Sequence, residues 1–349
     1  MQTFLDYIKD YPTLIITPQN RFYLSGFRSS LGYLFCANER LILYVDGRYI
    51  EAAQKGIKNG VEVRLLTKLS DTIDELKLEF KLKSLYLEED ISVRTFNQIK
   101  SCFPNANTSS KLSKVLSEMR SVKTDYEKQQ IKTAQTFAER AFEKVLEFIR
   151  AGVTEREVQL FLEYEMQSAG AEGMSFETIV VSGKNSSLPH GVPTNKPIEN
   201  GDFVTMDFGA VFGGYCSDMT RTVAVGYADD TMCEVYETVL AAQNAAINTA
   251  RANTSTSKVD IVARDVIEKA GYGNYFNHST GHGVGIDIHE SPNISFNSSE
   301  ILKVGNIITC EPGIYIPEMY GVRIEDMLYI TENGAENLTN SQKNLIIIK

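Results

Sequence analysis

Four carboxylates fall in two similar stretches of this chain, and a histidine stands between the stretches. The first stretch is Phe203-Val204-Thr205-Met206-Asp207-Phe208-Gly209, then Gly213-Gly214, then Cys216-Ser217-Asp218-Met219-Thr220-Arg221. It predicts a hairpin turning at the glycines, with one aspartate on each arm. The second is Ile307-Ile308-Thr309-Cys310-Glu311-Pro312-Gly313, then a Pro317 to Gly321 turn, then Val322-Arg323-Ile324-Glu325-Asp326. It predicts a second hairpin with one glutamate on each arm. Asp207, Glu311 and Glu325 interrupt or adjoin apolar strand residues, so they point into a core or a cleft. Burying four carboxylates together is prohibitive unless positive charge compensates them. Four carboxylates with an imidazole suit a pair of hard-to-borderline divalent cations. Two such ions ~3.5–4 Å apart lower the pKa of a shared water and polarise a carbonyl, the chemistry of two-metal hydrolysis.

Taken singly, none of these residues carries that conclusion. An aspartate before Phe-Gly is usually a turn or cap residue, and Glu325-Asp326 alone reads as a solvated pair. The joint pattern changes the odds. Only four histidines exist, and His278, His282 and His289 fall within twelve residues, between the two hairpins. They belong to His278-Ser279-Thr280-Gly281-His282-Gly283-Val284-Gly285 and Asp287-Ile288-His289-Glu290, where the glycines permit close backbone packing. Those glycines lack the G-x-G-x-x-G spacing of a dinucleotide site. On position alone His190, in Leu188-Pro189-His190-Gly191, could be an ordinary loop histidine, while its loop composition makes it a candidate for a mobile site edge suited to proton transfer near neutral pH. The chain contains neither a G-x-S-x-G nucleophile elbow nor an H-E-x-x-H zinc helix.

The elements that must hold these residues alternate. Thr13–Thr17, Leu41–Val45 and Val61–Leu66 are β-branched, strand-length runs, and 69–81 and 93–102 have helical apolar spacing. They predict a mixed α/β domain over 1–120 with both sheet faces covered. The charged stretch Met119 to Lys128 marks the boundary with a second domain, 121–349. A long amphipathic helix carries Ile131, Ala134, Ala138, Ala141, Val145 and Ile149 and stops at Ala151-Gly152. The next opens with a capping box, Thr154-Glu155-Arg156-Glu157. Strands follow from Glu177 to Val225. Helices over 231–252 and 257–270 and strands over 277–330 repeat that order. The second domain is therefore expected to be α+β, built of two helix-helix-strand halves.

Composition excludes several classes. The 349 residues suit two domains, and 43% hydrophobic with 23% charged residues is ordinary for a globular protein. A formal net charge of -10 argues against nucleic acid or an anionic membrane as a partner. No run approaches the ~20 apolar residues of a membrane span. Five scattered cysteines without a C-x-x-C pair, and no apolar leader, lead us to expect a cytoplasmic protein with reduced thiols.

Together these residues resemble the pita-bread metallopeptidases, and within them the proline-specific branch of Xaa-Pro aminopeptidases and prolidases. The resemblance rests on Leu188–Gly191, Met206–Gly209, Ser217–Thr222, Gly281–Gly285, Glu311–Tyr315 and Arg323–Asp326. In the first domain it rests on Asn20–Phe27 and Val45–Tyr49. It implies a creatinase-type α/β N-terminal domain, contributing to dimerisation and to limiting substrate length, ahead of a pita-bread catalytic domain. Asp207 would chelate one metal, Asp218 and Glu325 would bridge both, and His282 and Glu311 would complete the other. His190 and His289 would bind substrate and assist proton transfer. His278 and Arg323 would line the same pocket, Arg323 helping to position substrate or a bridging carboxylate. The metals would be two divalent ions per subunit, manganese first, with cobalt, zinc or iron as alternatives. The reaction would be hydrolysis of the bond before proline in short peptides by a homodimer, with a strict Xaa-Pro dipeptidase as the alternative. A non-catalytic binding module on this fold is the distant third reading, since such relatives generally lose ligands. All five ligand positions are filled here, unlike creatinase, and the first domain separates the chain from methionine aminopeptidase.

Overall fold

The apolar alternation of the first third builds one twisted sheet. In chain order its elements are α1 (Gln2–Asp10), β1 (Thr13–Ile15), α2 (Pro18–Ser25), β2 (Gly32–Ala37), β3 (Arg40–Val45), α3 (Ile50–Gly56), β4 (Glu62–Leu65), α4 (Leu69–Phe80), β5 (Leu85–Leu87), α5 (Val93–Cys102), β6 (Ala106–Thr108) and α6 (Ser110–Ser121). The strands lie in the order β4-β3-β2-β1-β5-β6. The three central strands are antiparallel neighbours, and β4, β5 and β6 join in parallel. Successive side chains point to opposite faces. Leu14, Phe35, Ile42 and Tyr44 therefore pack on Ile73, Leu76 and Ile99 of α4 and α5. Ile15, Leu34, Leu43 and Val45 pack on Phe4, Ile8, Leu112 and Leu116 of α1 and α6. The computed structural model describes residues 2–57 and 60–349, and the chain divides into two compact units, one running to Arg120 and the other from Ser121 to Lys349.

The second unit is α+β and has two halves. The first holds α7 (Asp125–Phe148), α8 (Glu155–Ala169), β7 (Gly173–Met174), β8 (Ile179–Ser182), β9 (Phe203–Phe208), β10 (Ala210–Phe212), β11 (Tyr215–Cys216) and β12 (Met219–Val225). The second holds α9 (Asp230–Thr249), α10 (Thr256–Lys269), β13 (Gly281–Gly283), β14 (Glu290–Ile294), β15 (Ile307–Cys310), β16 (Gly313–Ile316), β17 (Tyr320–Arg323), β18 (Asp326–Ile330), β19 (Ala335–Asn337) and β20 (Ile347–Ile348). Sheets β20-β12-β9-β8 and β14-β13-β15-β18-β19 each carry one helix pair. Ala134, Ala138, Val145, Val158 and Leu162 cover Val204, Met206 and Val223, while Val239, Ala242, Val259 and Ala263 cover Ile308, Cys310 and Leu328. Small residues on α7 and α9 let the helices lie close to the sheets.

Each helix of the second unit starts at a side-chain cap. Thr124 with Glu127 and Thr154 with Glu157 form full capping boxes, and Asp229 and Ser255 cap α9 and α10. The charged stretch read as a boundary thus also contains the start signal of α7.

Candidate metal centre and cleft

The two predicted hairpins are each split in two. β9 pairs with β12, Asp207 opposite Thr220, while the chain between them runs out into a smaller hairpin, β10 with β11, turning at Gly213-Gly214. β15 pairs with β18, Cys310 opposite Asp326, and its outer tip is β16 with β17. The carboxylates sit where broad hairpin gives way to tip. Asp218 directly precedes β12, and Glu325 directly precedes β18. Asp207 is next to last in β9, and Glu311 directly follows β15. Regular pairing stops there, so these side chains leave the alternation of their sheets and converge. The halves are stitched together by Glu325 N donating to Thr220 O (3.1 Å) and Thr220 Oγ1 donating to Glu325 Oε2 (2.8 Å).

His282 reaches the carboxylates from β13. A Cβ at Gly281 would lie 2.1 Å from Thr309 O, so only glycine lets β13 approach β15 this closely. Ligand atoms of Asp218, His282 and Glu325 lie within 4.8 Å of one another. His282 Nε2 stands 3.6 Å from Asp218 Oδ2 and 3.5 Å from Glu311 Oε1. Its Nδ1 lies 3.1 Å from Gly283 O. Donation of Nδ1–H to that carbonyl leaves the Nε2 lone pair facing the carboxylates, the usual arrangement of a ligating histidine. Burial, with His289 adding to it, holds the His282 imidazole down at about 4, so it is neutral at neutral pH.

Arg323 is buried, and four of its five N–H donors are taken by the protein. Nη2 donates to Asp207 Oδ2 (2.6 Å), Nη1 to Tyr315 OH (2.7 Å) and Pro189 O (3.2 Å), and Nε to Thr220 Oγ1 (3.1 Å). It orders Asp207 and Tyr315. His278 is tied into the same chain. Its Nδ1 lies 2.8 Å from Ser279 O and its Nε2 2.9 Å from Tyr315 OH. Since Nδ1–H donates to the carbonyl, Nε2 accepts the tyrosine proton. Burial, with Arg323 close by, pushes His278 down to about 3 and keeps it neutral. In the sequence Tyr315 stands out only as the end of the Glu311–Tyr315 motif. Its place between Arg323 and His278 is set by the fold, since His278 lies 37 residues earlier in the chain.

The four carboxylates satisfy one another poorly. Asp207 Oδ1, Asp218 Oδ1 and Glu325 Oε1 are buried and accept no hydrogen bond. Burial first, then Glu325, Asp207 and Glu311, pushes Asp218 well above the usual carboxylate range, with Arg323 opposing. Burial and then Glu311 and Asp207 do the same to Glu325, and burial raises Glu311 to about 8. Unpartnered carboxylate oxygens beside an unprotonated imidazole nitrogen are the donor set of divalent metal binding. The residues present therefore fit such ions.

Behind the centre, Arg221 is buried and donates to Asp326 Oδ1 (2.8 Å), Thr220 O (2.9 Å) and Glu325 O (2.5 Å). Asp326 also accepts from Lys343 and Asn337, which makes a braced floor beneath β12 and β18.

Every residue singled out in the sequence lines one cleft of about 1330 Å³ in the second unit. Asp207, Asp218, Glu311, Glu325 and His282 lie at its floor, with Arg323 and His278 beside them. His190 and His289 are exposed on its wall, the His289 ring 4.3 Å from that of His282. Phe176, Ile179, Pro189, Val192, Pro193 and Ile288 give the wall apolar surface.

This architecture has known counterparts. The profile described as Metallopeptidase family M24 matches residues 129–332, and that described as Creatinase/Prolidase N-terminal domain matches residues 12–122. The chain is 40% identical to the Xaa-Pro dipeptidase of Pyrococcus furiosus, over 95% of this chain and 94% of that one. Among solved structures it is similar to an Xaa-Pro dipeptidase from Bacillus anthracis (TM-score 0.94, 40% identity, 98% of each chain). It is also similar to an X-Pro aminopeptidase from Thermotoga maritima (TM-score 0.92, 36% identity, 99% of this chain and 98% of that one).

Proposed function

The chain belongs to metallopeptidase family M24, and from that premise we propose that it hydrolyses the peptide bond preceding proline, releasing the N-terminal residue of short peptides. The observation that carries the hydrolytic reading is the set of buried, unpartnered oxygens of Asp207, Asp218 and Glu325 around His282 Nε2 at the floor of an open cleft. The proline preference is supported by relatives named for Xaa-Pro substrates at 36–40% identity, and by an apolar wall compatible with a pyrrolidine ring.

In this reading Asp207, Asp218, Glu325, His282 and Glu311 would together hold two divalent ions. Metal held there would supply Lewis acidity toward a water and the scissile carbonyl. Arg323 holds the Asp207 carboxylate through Nη2 and is itself held by Tyr315, Pro189 and Thr220. His278 stays neutral and holds Tyr315 in place. His190 and His289 face the substrate. One imidazole N–H donates to the oxygen that gains charge; the other ring takes up the proton that the attacking water loses and passes it to the proline nitrogen as the C–N bond breaks. We take manganese as the metal, a homodimer as the working form and the cytoplasm as the compartment. The five free cysteines suit a reducing compartment. Among the described residues no helix is long and apolar enough to cross a membrane.

Both Xaa-Pro dipeptidases and an X-Pro aminopeptidase stand among the similar structures, so a strict dipeptidase is the second reading. Release of proline from Ala-Pro and of alanine from Ala-Pro-Ala, each with manganese and with chelator, separates the two. Metal-dependent cleavage of the tripeptide establishes the aminopeptidase, and cleavage of the dipeptide alone establishes the dipeptidase. No cleavage of either by metal-loaded protein removes the proline preference.

His190→Ala is expected to retain metal and to lose turnover by ~10²-fold, the ordinary contribution of a positioned proton donor. Metal content and turnover measured on one preparation check this. Loss of metal would mean that His190 has been given the wrong task.

A further inference from the structure

Glu155, at the first helical position of α8, is fully buried and has no part in the chemistry above. Its Oε1 accepts from Ser182 N (2.7 Å), Ser182 Oγ (3.0 Å) and Asn185 Nδ2 (3.0 Å). Its Oε2 accepts from Thr194 N (3.0 Å), Thr194 Oγ1 (2.7 Å) and, at 3.2 Å, the same Asn185 nitrogen. Three of these partners, the Ser182 and Thr194 amides and the Asn185 NH2, can only donate, and the start of the helix favours negative charge at this point.

Ser182 ends β8, and Thr194 lies beyond residues 183–193, the loop that carries His190. One buried carboxylate therefore closes both ends of that loop on a single point. The rest of the loop is held from β17. Gly321 N donates to Ser186 Oγ (2.8 Å), and a Cβ at Gly321 would lie 2.1 Å from Ser186 O, so strand and loop touch at the backbone. Further out, Pro189 O accepts from Arg323 Nη1 (3.2 Å), directly before His190. The loop read from sequence as a mobile edge is in fact clamped at its base, its middle and near its tip.

We propose that Glu155 is the positioning residue for His190: by gathering Ser182, Asn185 and Thr194 it fixes where the His190 imidazole stands in the cleft. This rests on the proton-transfer role given to His190. A catalytic group misplaced by about 1 Å costs up to ~10²-fold in rate. A loop released at its base should therefore cost turnover while the metal ligands, which lie on other strands, stay loaded.

The test is a double-mutant cycle on the full-length, metal-loaded enzyme, with kcat, KM and metal content measured on an Xaa-Pro dipeptide for wild type, Glu155→Gln, His190→Ala and the double variant. Glutamine keeps the shape but turns an NH2 toward donors. Glu155→Gln is expected to lower kcat by about tenfold or more, with KM and metal content little changed. In the His190→Ala background the same change is expected to alter kcat by less than about twofold. An equal loss in both backgrounds, or a loss that follows metal content, overturns the proposal. No loss in His190→Ala alone would overturn the role of His190 and this inference with it, a pattern distinct from the additive one. If Glu155→Gln does not fold, Asn185→Ala and Thr194→Val replace it in the same cycle. Each removes side-chain donors and leaves the carboxylate, and each is expected to lower kcat only while His190 is present.

Discussion

Asp218→Asn is expected to lose metal and activity together while making the metal-free protein more stable. Asp218 is buried, one of its oxygens has no partner, and its carboxyl is pushed up by burial and by three neighbouring carboxylates. Asparagine keeps the volume, so no cavity forms, and it removes a buried carboxyl that must either hold its proton or crowd three others. That relieves the metal-free fold. In the proposed reading the same change also removes one of the five metal ligands. Lewis-acid stabilisation of several kcal/mol then disappears, a loss of ~10³-fold or more in kcat/KM. Thermal unfolding separates the two effects. A metal bound at about 100 times its Kd stabilises the wild type by about 2.7 kcal/mol, so its Tm should rise with manganese and fall with chelator. The variant should ignore both and melt above the chelated wild type. Retention of two metals with near-normal turnover in the variant would sink the ligand assignment.

The chemistry of this chain is concentrated in short, adjacent segments, and that is why its ingredients can be read from sequence. Carboxylates interrupting apolar strands and histidines between glycines are local signals. The helix pairs of the second unit announce themselves through periodicity, and the capping box at Thr154 fixes where α8 begins. The splitting of each hairpin into a broad ladder and a tip is not local. It depends on Ser217 pairing with Ala210, whose N–H donates to Ser217 Oγ, and on Ser175 donating from beyond β7 to the carbonyl of Ala210. The flanking strands β5 and β6 are three residues each. β5 pairs with β1 across some seventy residues of chain, Thr13 opposite Tyr86, too short a run to show a pattern of its own. β2 starts at a glycine, which masked a strand that became central. Glu155 was visible only as one letter of a helix start, because its partners are assembled by the fold.

The metal-free protein is expected to lose stability as pH rises from about 6.5 to about 8, and the metal-loaded protein to gain it. Glu311 is pushed up to about 8 by burial, and Asp218 and Glu325 are raised by burial and by their like-charged neighbours. An unfolded carboxyl titrates near 4.3. Above that pH the folded state binds more protons than the unfolded state, so stability falls until the folded pKa is passed. Two histidines oppose this trend at lower pH. His282, held at about 4, and His278, at about 3, are neutral in the fold, so unfolding takes up protons below about 6.5 and stability rises with pH there. Between about 6.5 and 8 the histidines no longer contribute, and the carboxylates alone set the sign. Each tenfold change in a carboxyl's proton affinity between folded and unfolded chain is worth about 1.4 kcal/mol, so the decline should be plain in urea titrations with chelator present. Divalent ions displace those protons, and binding strengthens as the ligands deprotonate. The slope should therefore reverse when manganese replaces chelator, and Asp218→Asn should flatten it in chelator. Equal slopes with and without metal would mean that the raised carboxylates and the metal do not share a site.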